Sequence, residues 1–142
     1  MKALNPYLNF PGNTEDAFNF YKKAFGGDFA TIMRFKDSPQ AANTPAADQD
    51  KLMHIALPIG KGNVLMGTDS LESQGHSVHA GNNFHLSVSA DSDAEAEKIF
   101  NALSEGAKIM VPLSKQFWGA YFGMLTDKFG VQWMISHDEN QR

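Results

Sequence analysis

The chain contains no cysteine, so it has neither disulfides nor thiolate chemistry, and metal binding is left to His, Asp and Glu. Long apolar runs are also missing. The longest are strand-length, and the N-terminal Met1-Lys2-Ala3-Leu4-Asn5-Pro6 lacks the apolar stretch of a signal peptide, so membrane attachment is not expected. Positive charge is scarce. With 12 Lys and Arg interspersed among 16 Asp and Glu, the formal charge is −4 and no electropositive footprint marks a nucleic-acid partner. Nucleotide fingerprints are missing as well: Gly26-Gly27 and Gly60-Lys61-Gly62 lead into strand patterns instead of opening a helix. No Ser/His/Asp or Walker pattern is present either. These absences predict a cytoplasmic protein with no cofactor.

What is present is a pattern stated twice. An extended stretch, an amphipathic helix and a glycine stop occur from Leu4 to Gly27 and again from Phe84 to Gly106, about 80 residues apart, too long a period for a solenoid. With 142 residues and 42% hydrophobic content the chain can build one sizeable core. The expectation is one α+β domain over residues 1–142, made of two β-α-β-β-β modules at about 1–69 and 83–137 joined by a loop at 70–82.

Helical spacing of Ala17, Phe18, Tyr21, Ala24 and Phe25 predicts the first helix, with Asn13 as its cap and Asp16 at the third position. Ser92 and Glu95 form a capping-box pattern ahead of Ala96, Ile99, Phe100 and Leu103. Strand alternation assigns faces. Leu8 and Phe10, Met53 to Ile59 at every second residue, and Val131, Trp133 and Ile135 belong under the helices, which leaves Tyr7, His54, Gln132 and Met134 opposite. That second face is mixed, as suits the lining of a concave site or a solvated groove. Lys36 to Asp50 and Ser70 to Asn82 read as loops, either functional covers or mobile.

Candidate chemistry gathers on the mixed face. His54 and His85 suit a polar anchor, and His85 is the best candidate for a general base; the alternative is a hydrogen-bonded histidine on a half-buried face. Trp118 and Phe122 are expected in phase on one strand, facing a pocket where they can stack on a flat or apolar ligand, with Gly119 and Gly123 admitting close approach from the other side. The methionines suit an adaptable apolar cavity or serve as filler. His76 and His79 lie in a Ser/Gly loop with no zinc-protease spacing.

Pro6-Tyr7-Leu8-Asn9-Phe10 with Gly12-Asn13, Phe20-Tyr21-Lys22-Lys23-Ala24-Phe25-Gly26, Leu65-Met66-Gly67-Thr68-Asp69, Phe117-Trp118-Gly119 and Asp127-Lys128-Phe129-Gly130-Val131-Gln132-Trp133-Met134 cover most of the chain. Together they resemble the PhnB-like branch, also called 3-demethylubiquinone-9 3-methyltransferase-like, of the vicinal oxygen chelate superfamily of glyoxalases, bleomycin-resistance proteins and dioxygenases. The resemblance implies a half-open barrel and a homodimer. It places the metal positions of the metal-dependent members near Asn5, Met66, His85 and Met134, of which only His85 is a good ligand, and so no metal is expected.

The function expected is metal-free binding or sequestration of an unidentified small molecule in a cavity lined by Asn5, Tyr7, His54, Met66, His85, Trp118, Phe122 and Met134. One rival is a metal-assisted lyase, isomerase or dioxygenase using His85. Another is an accessory protein linked to phosphonate metabolism, an association carried by the family's name alone.

Overall fold

Leu8 and Phe10 of β1 (Tyr7–Phe10) are buried, while Tyr7 and Asn9 between them are exposed, so this strand covers a core with one face only. The computed structural model describes residues 1 to 139 and divides into two units, Met1–His79 and a second that begins at Ala80. Each holds one helix and one open four-stranded sheet.

In the first unit, α1 (Thr14–Phe25) is followed by β2 (Thr31–Arg34), β3 (Leu52–Ile59) and β4 (Asn63–Asp69), in the sheet order β1-β4-β3-β2. The parallel pairing of β1 with β4 sets Tyr7 beside Met66 and Leu8 beside Gly67. Directly paired residues share a face, so Leu8, Phe10, Ile55, Leu57, Leu65 and Gly67 lie toward the helix. Phe18 and Tyr21 of α1 are fully buried among the core side chains.

The second unit repeats the plan with β5 (Leu86–Ser89), α2 (Asp93–Leu103), β6 (Lys108–Lys115), β7 (Tyr121–Thr126) and β8 (Gln132–His137), in the order β5-β8-β7-β6. The β-α-β-β-β reading of each half therefore holds. Trp133 and Ile135 are buried on the helix side, as their alternation requires.

The helix starts differ. Ser92 Oγ accepts from the Glu95 amide at 3.0 Å, as the capping-box pattern predicts, while the Glu95 carboxylate accepts from the Asp91 amide at 2.8 Å, one residue ahead of the cap. Asn13 does not cap α1. Its backbone is not extended, and Asp69 at the end of β4 supplies the acceptor instead, with Oδ1 on the Thr14 amide at 2.9 Å and Oδ2 on the Leu52 amide at 2.8 Å. A carboxylate brought in by the sheet thus replaces the local cap. Asn13 Oδ1 is left buried with no partner among the described residues.

Lys36 to Asp50 is not a loose loop. It folds into three short 3-10 turns, and Gln49 Nε2 donates to the carbonyls of Ala41 and Thr44 at 2.9 and 2.7 Å. Buried Asp48 accepts from Ser73 at 2.7 Å and pairs with Lys51 at 2.8 Å, which ties the insertion to the segment after β4. Lys51 and Ser73 hold the Asp48 carboxyl below the usual carboxylate range.

Candidate functional site

The helix-free face of the first sheet is assembled by register. Tyr7 on β1, Met66 on β4 and Ala56 on β3 form one row; Asn9, Thr68, His54 and Met33 form the next. Across β4 the two aromatic residues meet. Tyr7 Oη lies 3.0 Å from His54 Nδ1, and the rings are stacked with centroids 5.6 Å apart and planes 30° from parallel. Partial burial raises the phenol pKa of Tyr7 above its ordinary value, so the hydroxyl keeps its proton at neutral pH. His54 is half-buried with Met33 as its cross-strand neighbour, and Met66 stands on the diagonal.

Asn5 takes a different position. It precedes β1, and its Oδ1 accepts from the Val64 amide at 3.0 Å, which fastens the approach to the strand onto β4. Tyr7, and not Asn5, is the residue paired with Met66.

In the second unit the helix-free face carries Ser87, Ser89, Phe122, Met124, Met134 and Ser136, by the pairing of β7 and β5 with β8. Phe122 occupies the place that His54 holds in the first sheet, since each sits one row from the methionine of the last strand. Trp118 is not on the strand with Phe122. It lies in the turn before β7, 52% exposed, edge-on to Phe122 at 5.7 Å and to the still more exposed Phe117 at 5.1 Å. Gly119 shows why: its φ of +99° makes a turn, and an added Cβ would meet nothing within 4 Å, so no close approach occurs there. Gly123 does admit one, from the Phe100 ring and the Leu113 backbone. His85 is half-buried just ahead of β5, and no hydrogen bond holds its ring among the described residues. His76 and His79 are exposed in the segment leaving the first unit.

The chain matches a family model over residues 3–135, that of the glyoxalase/bleomycin resistance protein/dioxygenase superfamily. The chain belongs to this superfamily. Among superfamily relatives it is 31% identical to protein YjdN of Escherichia coli over 94% of this chain and 93% of that one. A crystal structure of protein PA1353 from Pseudomonas aeruginosa, 40% identical, superposes with a TM-score of 0.82 over 96% of this chain and 98% of that one. The putative 3-demethylubiquinone-9 3-methyltransferase, PhnB protein, from Bacillus cereus is 26% identical, with a TM-score of 0.77 over 94% and 98%. Over nearly its whole length the chain is thus similar to a PhnB protein.

The metal positions implied for metal-dependent superfamily members fall on residues that do not fit a hard divalent ion. Asn5 spends an oxygen lone pair on Val64, Met66 and Met134 offer neutral thioethers, and His85 alone is a good ligand. Among the described residues no three His, Asp or Glu side chains converge.

The Tyr7–His54 contact escaped the sequence reading. Both residues are expected on the mixed face, but two strands separate in the chain meet only when β4 is inserted between them. Met33 was missed for the same reason.

Proposed function

We propose that this protein binds a small molecule on the helix-free faces of its sheets without a resident metal. The Tyr7–His54 pair carries the reading: a hydrogen-bonded, half-exposed polar pair with Met66 on the strand between its members and Met33 beside His54. An apolar surface with a few oriented polar groups is what a small-molecule site requires. Phe122, Met124 and Met134 offer a second such surface, with Trp118 at its margin. A second copy of the chain belongs to the same reading, because Ile32 on edge strand β2 and Ile109 and Met110 on edge strand β6 are exposed.

Metal analysis of untagged protein, with thermal unfolding in Mn²⁺, Ni²⁺, Zn²⁺ and Fe²⁺, tests the proposal. An ion that binds only the native state raises its apparent stability by mass action, and no saturable rise is expected. A stoichiometric ion whose effect disappears in His85→Ala would overturn it in favour of metal-assisted chemistry. Small aromatic compounds are expected to shift the methyl resonances of Met66 or Met134.

A further inference from the structure

We infer that the Tyr7–His54 pair selects ligands that offer a carbonyl or carboxylate oxygen, received by the Nε2–H of His54. This rests on the binding reading above and adds the ligand's chemistry to it.

The direction of the shared hydrogen bond follows from acidity. A phenol is a far stronger acid than the N–H of a neutral imidazole, and an imidazole nitrogen is the better acceptor of the two. Tyr7 Oη therefore donates to His54 Nδ1 across their 3.0 Å contact. A neutral imidazole carries one ring hydrogen, so with Nδ1 accepting, that hydrogen resides on Nε2. The ring stack at 5.6 Å restrains the imidazole in the same pose.

Asn9 and Thr68 share the row of His54, yet neither hydrogen-bonds its Nε2–H among the described residues. No described residue bonds Nε2, and the flanking Met33 and Met66 offer only weakly accepting thioethers. The hydroxyl of Thr68 on the next strand lies 3.5 Å from the backbone carbonyls of Leu52 and Asp69. A ligand oxygen supplies the missing acceptor while its apolar body covers the thioethers. A ligand that presents only a donor sets N–H against N–H.

The test follows the ring nitrogens of His54 and the methyls of Met33 and Met66 by NMR, with benzoate, benzamide and aniline as probes. The free protein is expected to carry its ring proton on Nε2. Benzoate and benzamide should shift that signal and both methyls, and aniline should bind about tenfold more weakly. Tyr7→Phe keeps the ring but frees the tautomer, and should weaken benzoate binding several-fold. A proton on Nδ1 in the free protein, or a His54 signal indifferent to benzoate and benzamide, overturns the inference. Methyls that answer all three probes alike overturn the oxygen preference and leave the binding face standing. Methyls silent to every small aromatic compound overturn both.

Discussion

The ring of Phe18 on α1 approaches Gly67 on β4 so closely that a Cβ at position 67 would stand 2.6 Å from its Cε1. Phe100 on α2 bears the same relation to Gly123 on β7, also at 2.6 Å. The two sheets reach this arrangement in opposite ways. Ile55 of β3 pairs with Gly67 of β4, whereas Gly123 of β7 pairs with Ile135 of β8, so the small and large members of the pair exchange strands. In each unit a glycine makes room for one helix aromatic, and the isoleucine beside it fills the space that remains.

Gly67→Ala is expected to cost about 1–3 kcal/mol in urea unfolding, the usual penalty of overpacking. Phe18→Leu in that background should recover part of it, because the ring is the main obstacle. Gly123→Ala should be rescued less by Phe100→Leu. Its added methyl also meets the Leu113 backbone at 3.0 and 3.1 Å, and backbone yields less than a side chain. Equal rescue in the two units would refute this account.

Asp69 and Asp127 hold backbone and ring N–H groups that an amide cannot hold equally well. Asp127 is buried, accepts on Oδ1 from the Phe129 and Val131 amides at 2.8 and 3.0 Å, and on Oδ2 from Trp133 Nε1 at 2.8 Å. In Asp127→Asn one oxygen becomes a donor facing a donor, with an expected cost of about 1.5–3 kcal/mol and a change in Trp133 fluorescence. Asp69→Asn should behave alike, because both Asp69 oxygens also accept from N–H groups. Wild-type stability in either variant would show that the carboxylate is dispensable.

The two helix starts predict opposite outcomes for the same type of change. Ser92→Ala removes an acceptor that the Glu95 amide uses, so a loss of about 1 kcal/mol is expected. Asn13→Ala removes a buried oxygen with no partner among the described residues, and denaturation should place that variant level with wild type or above it.

Stability should rise with pH across the acid range. Asp48, beside Lys51 and Ser73, and Glu15, hydrogen-bonded to Arg34 at 2.7 Å, both have carboxyl pKa values lowered by their partners in the folded chain. The unfolded chain therefore binds protons more readily near pH about 4, and the contribution is fully present above that region and lost as pH falls through the folded values. Thermal unfolding between neutral and acid pH should show this slope, reduced in Asp48→Asn. An unchanged slope in that variant would remove Asp48 from the cause.

Periodicity along the chain was enough to place both helices, the β-α-β-β-β succession of each half and the faces that Leu8, Phe10, Trp133 and Ile135 bury. Phe18 and Tyr21, like Ile99 and Leu103, repeat at the pitch of a helix, and Leu8 and Phe10 at the pitch of a strand, whatever lies around them. The Ser92–Glu95 cap was legible for the same reason, since its partners lie within one turn. Partners far apart in the chain were not. Asp69 displaced Asn13 as the cap of α1, Trp118 left the strand for a turn, and Tyr7 found His54 across an intervening strand, each decided by which elements pair and in what register. Short-range spacing is a property of one segment, whereas a hydrogen bond between β1 and β3 exists only once β4 has docked between them.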